Sequence, residues 1–359
     1  MQTTKPKGLA KIWRGIKRPF GKISKWGKNL VTRAKSLPMR ITQKVSWKEF
    51  KMAKNYFEWR NFLNDERLYA CSSSEKQKDL FAKYVKFIEI EVFSFCNRQC
   101  WFCPNSYIDR HSQNVFMPEM MYEKIMNELA EIAYSGKIWY SRYNEPFSDR
   151  IILERIRKAR QKLPNATLHS FTNGDYITRE YLDDIASAGL NDMYIMRYPQ
   201  GKCEYNESQQ REILTTFAKK IGFPFEQRKN VSLEIFHPAM TIMVLGPDPQ
   251  SQYCNRADSV TISTKSYRRK TPCYSPFTNM YIDHNGSVMP CCNMRSDVSQ
   301  HAEMIMGNVA ENTLCSIYAN LHYSLLRYQM RDFGNKVYPC NVCDTSNFSF
   351  SAEVPYCKQ

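Results

Sequence analysis

The chain has 359 residues, 43% hydrophobic and 13% aromatic, which suits a folded core domain with a smaller domain and an extension. Its thirteen cysteines fall in short-spaced sets, which excludes a disulfide-stapled secreted module and favours metal in a reducing compartment. The net charge of +16 is local: residues 1–44 hold thirteen Lys and Arg and no Asp or Glu, so the other 315 carry +3, which argues against a nucleic-acid surface on the folded part.

The basic arm comes first in chain order. Its apolar residues Leu9, Ile12, Trp13, Ile16, Phe20, Ile23, Trp26, Leu30, Ala34 and Leu37 step by three and four, as one helix face does. Trp and Phe opposite lysine is the pattern of a helix lying in a membrane interface, with residues 1–40 on an anionic surface. Pro19 and Gly15, Gly21 and Gly27 weaken that helix, and a disordered basic tail is the alternative. Lys or Arg interrupts the arm too often for a signal-peptide core, and no apolar run approaches the roughly 20 residues of a spanning helix. The expected location is cytoplasmic, peripheral on the inner membrane face. Residues 46–83 read as a helical linker or cap.

An apolar, β-branched run from Tyr84 to Phe93 then predicts a strand, and it leads into Cys96-Asn-Arg-Gln-Cys100-Trp-Phe-Cys103. Three thiolates converging from one tight loop hold three corners of a 4Fe–4S cube and leave the fourth iron open to a substrate or cosubstrate. A zinc knuckle, the alternative, pairs Cys-x2-Cys with a second Cys or His pair close by. Here the next downstream cysteine is Cys203, and no histidine clusters with the three.

Helix and strand patterns alternate beyond the loop. A helix is expected over 118–134, a strand over 137–143, a helix over 149–162 and a strand over 166–171. A helix over 178–188, a strand over 192–198 and a helix over 207–221 follow, then strands over 231–236 and 239–245. Such alternation implies parallel βαβ units, with sites at the C-terminal strand ends.

The Cys-x3-Cys-x2-Cys spacing, with Phe102 before the last cysteine, resembles the signature of radical S-adenosylmethionine (SAM) enzymes. In that family SAM chelates the open iron, and one electron from the cluster releases a 5′-deoxyadenosyl radical that takes a hydrogen from substrate. The resemblance implies an α/β fold: a partial (β/α)6 radical SAM barrel over 84–250, a small C-terminal iron–sulfur domain over 251–359 and a basic helical N-terminal extension over 1–45. Asn144-Glu145-Pro146 after the second strand is similar to the family's Gly-Glu-Pro turn, which holds the SAM amino group. Thr172-Asn173-Gly174 after the third is similar to its Thr-Asn-Gly turn. Arg197 ends the fourth strand, where the family places a polar residue toward the SAM ribose or carboxylate, and Phe102 would stack near adenine. Each of these is also ordinary turn or core chemistry.

The C-terminal third carries a second cysteine set. Residues 280–291 predict a hairpin turning at Asn285-Gly286, and 312–331 a helix. The spacing of Cys273, Cys291, Cys340 and Cys343 resembles a shortened SPASM, or twitch, domain, and the resemblance implies that these four hold a second 4Fe–4S cluster. A four-cysteine structural zinc site is the alternative. Cys292 is expected to point away in a strand as a bystander. Four protein ligands leave no open iron, so this cluster would move electrons. Asn255-Arg256-Ala257 lies where alcohol-oxidising members place an arginine, which makes Arg256 the candidate for binding or deprotonating the substrate radical. A guanidinium is a poor base, so a purely electrostatic part is the other option. Cys254 is a lesser candidate donor.

The leading expectation is a radical SAM oxidoreductase that dehydrogenates a carbohydrate-like substrate, lipid- or nucleotide-linked, in polysaccharide biosynthesis. Its cofactors would be two 4Fe–4S clusters and SAM, and its reducing partner a flavodoxin or ferredoxin. The alternatives are a peptide-modifying maturase and a non-enzymatic membrane-associated iron–sulfur electron carrier.

Overall fold

Residue period decides the architecture around the first strand, β1 (Phe87–Ile90). All four of its residues are buried, as in a parallel strand covered on both faces. In the computed structural model, which describes residues 65–198, 205–229, 231–246, 253–261 and 267–345, β1 lies in the middle of one ten-stranded sheet. The arm at 1–45 and the linker as far as residue 64 lie outside the described residues, which all belong to a compact unit beginning at Trp59.

β2 (Lys137–Tyr140), β3 (Thr167–Thr172) and β4 (Asp192–Met196) follow β1 in parallel. The intervening helices are α2 (Glu119–Glu131), α3 (Ile151–Lys162) and α4 (Arg179–Ala188), while α1 (Ser74–Tyr84) precedes β1. Their ends follow local chemistry. The Thr178 side chain caps α4, and Gly189 closes it at φ +104°, where a Cβ would be strained.

After α5 (Glu207–Ile221) come β5 (Phe225–Arg228), β6 (Ser232–Phe236) and β7 (Thr241–Leu245). β7 pairs in parallel with β4, whereas β6 pairs antiparallel with β7, and β5 antiparallel with β6. The expected strand over 231–236 is therefore not a parallel barrel stave. The short connection from Phe236 to Thr241 is too small for the crossover a parallel pair needs.

A sixth parallel strand comes instead from the C-terminal third. β8 (Asn279–Ile282) pairs with the free edge of β1, Glu89 opposite Tyr281, and is followed by β9 (Ser287–Met289) and the two-residue β10 (Gly307–Asn308). The hairpin turns where expected, with Gly286 at φ +81°. The boundary expected at 250/251 thus separates two parts of one continuous sheet. The single helix expected over 312–331 is two, α7 (Leu314–Tyr318) and α8 (Leu321–Arg331), because Asn320 restarts the chain by capping Tyr323. A one-turn helix, α6 (Ser275–Thr278), precedes β8.

Alternate residues of the parallel strands face inward. Phe87, Trp139, His169, Phe171, Tyr194 and Tyr281 meet there as an aromatic floor, with Trp139 centred 4.5 Å from Phe87, 4.4 Å from His169 and 4.8 Å from Phe171. Glu89 joins them from β1. The C-terminal strand ends above this floor are left open, and the site is built there.

Candidate functional site

The cysteine loop is closed at its base. Phe93 bridges Phe116, Ser94 N–H donates to the Val115 carbonyl at 2.9 Å, and Cys96 N–H to the Arg110 carbonyl at 2.9 Å. Cys103 N–H turns back to Cys100 at 2.9 Å, and a short 3-10 helix (Pro104–Ser106) follows. Cys96, Cys100 and Cys103 line one cavity above the aromatic floor, and no described cysteine is in a disulfide. Burial, with mutual repulsion, pushes the Cys96 thiol up to about 12 and Cys100 up to about 11, against a helping charge from Arg98 at Cys100. Such thiols ionise only against a bound cation. Among the described residues no three His, Cys, Asp or Glu stand close enough together to hold a single ion. Three thiols on one loop that line an open cavity fit a cluster that keeps one iron free for a ligand.

The turns after β2 and β3 are tied to one another. The buried Glu145 accepts from Thr172 Oγ1 at 2.5 Å, Asn173 N–H at 2.7 Å and Phe147 N–H at 3.2 Å. Burial raises its pKa to about 7, and those three donors hold it from rising further. Three donors leave part of the carboxylate's acceptor capacity open. Asn144 lines the same cavity, and its buried Oδ1 has no donor. An acceptor left so beside Glu145 fits an ammonium-bearing ligand such as SAM.

Asp175 organises the flank. It takes a two-pronged contact from Arg98 (2.7 and 2.6 Å), one from Asn97 (2.9 Å) and one from Arg197 (3.0 Å). Burial would raise its pKa, but these donors outweigh it and hold the group at about 2. The stretch between the first two cysteines is thereby locked to the turn after β3. Arg197 also donates to the Asn173 carbonyl at 2.7 Å and lies along a groove beside α5, not in the cavity. Phe102 does line the cavity, with one ring face stacked on Tyr253 at 4.7 Å and 18°.

The polar floor of the cavity was not singled out from the sequence. Glu89 is buried and accepts from Ser141 Oγ at 2.7 Å. Burial raises its pKa against the pull of Arg142, whose Nη1 is 4.0 Å from it. Arg142, at a strained φ of +139°, donates to Asp283 at 2.7 Å and the Met294 carbonyl at 2.6 Å. A charged residue inside an otherwise apolar strand was the available signal for Glu89.

Arg256 lines the same cavity. Arg256, Ala257 and Asp258 all have positive φ (46°, 51° and 73°), a left-handed turn that costs L-residues roughly 1–2 kcal/mol each. His301 contacts the Ala257 carbonyl at 2.9 Å, Tyr338 donates to Asp258 at 3.0 Å, and Asn255 N–H donates to Asp344 at 2.9 Å. Cys254 contacts Asn293 Oδ1 at 3.4 Å and is not a lining residue.

Cys340 and Cys343 are buried, and Cys291 is repelled by Cys292, Cys343, Cys340 and Cys273, so the second set shares one neighbourhood. Cys292 lies beyond β9, not in a strand, and lines the first cavity. One peptide unit thus joins the four-thiol site to the cavity wall. Arg269 and Lys336, buried beside these thiols, were likewise missed.

This fold and these two thiol sites agree with the family comparisons. The Radical SAM superfamily model matches residues 90–196, and the SPASM iron–sulfur cluster-binding domain model matches 273–344, a span that contains all four C-terminal cysteines. The chain is a radical SAM enzyme with a C-terminal SPASM-type auxiliary-cluster domain, and its cofactors are SAM and 4Fe–4S clusters.

Among characterised proteins it is similar to the S-adenosyl-L-methionine-dependent 2-deoxy-scyllo-inosamine dehydrogenase of Niallia circulans, 24% identical over 275 residues, covering 76% of this chain and 98% of that one. The crystal structure of BtrN in complex with AdoMet and 2-DOIA shares the fold at a TM-score of 0.55, with 20% identity over 76% of this chain and 97% of that one. SuiB of Streptococcus suis bound to precursor peptide SuiA aligns at a TM-score of 0.38 and 15% identity, over 75% of this chain and 72% of that one. No described helix is long and apolar enough to cross a membrane.

Proposed function

We infer that this enzyme oxidises a hydroxyl-bearing carbon of a cyclitol- or sugar-like substrate to a carbonyl. The observation that carries this reading is a buried carboxyl, Glu89, and a guanidinium, Arg256, lining one cavity with three thiols. The dehydrogenase relative supports the substrate class, and the polar floor of Glu89, Ser141 and Arg142 suits hydroxyl groups.

Bound to Cys96, Cys100 and Cys103, a cluster with SAM supplies the electron and the radical that remove one hydrogen atom from substrate. Converting a carbinol to a carbonyl takes away a second proton and a second electron. Glu89 is suited to take the proton: burial holds its carboxyl above the usual range, and Ser141 fixes one oxygen. Arg256 remains cationic and would orient the substrate oxygen. Cys273, Cys291, Cys340 and Cys343 would hold the electron acceptor, with Cys292 next to it on the cavity wall. Glu145 and Asn144 would receive the SAM amino group, Thr172 and Asn173 fix Glu145, Arg197 braces the turn through Asp175, and Phe102 packs at the cavity edge.

The finer parts of this reading rest on the sequence. The basic arm supports attachment to an anionic membrane surface, and with it a lipid-linked substrate in polysaccharide biosynthesis. A flavodoxin or ferredoxin would supply the reducing electron. The test is anaerobic reconstitution followed by incubation with SAM, a strong reductant, and amino-cyclitols, sugar nucleotides or peptides. A ketone product formed one-to-one with 5′-deoxyadenosine from a sugar-like compound is expected. Turnover of peptides alone would transfer the reading to the maturase class.

A further inference from the structure

Arg269 is fully engaged, yet among the described residues no carboxylate forms an ion pair with it. Only 2% of the residue is exposed. Its Nε donates to the Cys343 carbonyl at 3.1 Å, Nη1 lies 3.4 Å from both Thr271 Oγ1 and the Pro272 carbonyl, and Nη2 lies 3.9 Å from the Cys343 sulfur. Its main-chain N–H donates to the Asn341 carbonyl at 2.7 Å. The other buried arginines of the site differ: Arg110, Arg142 and Arg295 each meet a carboxylate. Asp344 lies within electrostatic reach of Arg269, but its oxygen accepts from Asn255. The groups that favour the Arg269 charge are Cys273, Cys343, Tyr267 and Cys340.

A buried guanidinium without a counter-ion is costly. Four thiolates around an iron–sulfur cube carry net negative charge and would supply that counter-ion. Lys336 adds a second buried cation on the same thiols, donating to the Gln329 carbonyl at 2.9 Å and to the Asp332 carbonyl.

We propose that Arg269 sets the reduction potential of the auxiliary cluster, through its hydrogen bond to the Cys343 sulfur and its buried positive charge. When the cluster takes one electron, its negative charge rises by one, and no bond forms or breaks. A cation held on the sulfur favours the reduced form, so the potential rises toward that of an electron acceptor. The proposal rests on the four thiols holding a cluster and is independent of the substrate. Arg269 touches no substrate, so it is a positioning residue for electron transfer.

The test uses the full chain with Cys96, Cys100 and Cys103 replaced by Ala, so that only the auxiliary cluster remains. Its midpoint potential is read by electron paramagnetic resonance during a redox titration, with Arg269 intact, Arg269→Lys and Arg269→Gln. Arg269→Gln is expected to lower the potential by at least 59 mV, a tenfold change for one electron, and Arg269→Lys by clearly less. Equal potentials in all three chains would overturn the proposal. If Arg269→Gln fails to load iron, Arg269→Lys alone is read against the intact chain. A fall is then expected, and an unchanged potential overturns the proposal. Tightly bound zinc with no redox signal would overturn both this proposal and the two-cluster reading, whereas an unchanged iron–sulfur potential sinks the Arg269 proposal alone.

Discussion

The two thiol sites differ in how they are assembled. Cys96, Cys100 and Cys103 come from one loop after one strand, and they open onto a cavity with Glu145, Glu89 and Arg256. Cys273, Cys291, Cys340 and Cys343 come from separate segments, brought together by α8 and the β8–β9 hairpin. Cys273 N–H, for example, donates to the Met330 carbonyl at 2.9 Å. The first site combines an aromatic floor with two carboxylates, Glu89 and Glu145, on its cavity side. At the second, Cys340 and Cys343 are buried, Cys273 and Cys291 partly so, and Arg269 and Lys336 are buried beside them. An open corner next to titratable groups suits bond making and breaking, and a sealed cluster beside fixed cations suits storing an electron. Charge placement, more than cysteine count, separates the two sites.

The largest expected effect comes from removing the open site. Replacing Cys96, Cys100 and Cys103 with Ala should lower iron from about eight to about four per chain and abolish 5′-deoxyadenosine formation. If that triple variant still cleaves SAM, the division of labour between the sites fails.

A smaller effect sharpens the chemistry of the cavity. Glu89→Gln should lower ketone formation by about 10²–10⁴-fold while SAM cleavage continues, the loss typical of a missing general base. Only the ionised form of Glu89 can accept a proton. Because burial raises its pKa above 4.5, wild-type kcat/KM should climb as pH rises through that raised value. Glu89→Gln should flatten this limb. An unchanged pH profile would move the base elsewhere.

The smallest effect tests the brace behind the open site. Asp175 titrates at about 2 against an ordinary 3.8, and its side chain is 29% exposed. Because the residue is partly exposed, solvent screening leaves that depression worth about 1 kcal/mol of folding stability or less. A carboxylate with a depressed folded pKa contributes fully above its unfolded pKa and loses that contribution as pH falls through the folded value. Asp175→Asn should therefore destabilise the apo-chain by about 1 kcal/mol at pH 7, and the gap should close between pH 4 and pH 2. Urea unfolding of the two apo-chains across pH measures it, and a gap that stays constant with pH would show that Arg98 and Arg197 do not depend on this charge.

Much of the open site was legible in the sequence because its information is local. Eight residues set the cysteine spacing, and the Asn144-Glu145-Pro146 and Thr172-Asn173-Gly174 turns stand directly after their strands. The structure brings Glu145, Thr172, Asn173 and Phe102 to the same cavity wall. Arg197 was read by position alone; its guanidinium turns to Asp175 because that carboxylate, two residues past Asn173, is closer to hand. Glu89 escaped notice because inward direction depends on register, fixed only when β1 pairs with both β2 and β8. Cys292 was assigned to a strand that stops at Met289, so the side of the chain it faces could not be read from alternation.

The sequence by itself determined the cofactor chemistry and the order of strands and helices as far as α5, since spacing and hydrophobic period act over a few residues. Tertiary structure alone decided that β8 closes the sheet beside β1, that β6 runs antiparallel, and that Glu89 and Arg256 share a cavity. It also decided that Arg269 is buried against the Cys343 sulfur. Those outcomes depend on which distant surfaces bury one another. Long-range burial and charge pairing leave little trace in local sequence, because the partners of a residue such as Glu89 lie on strands nearly fifty and nearly two hundred positions away.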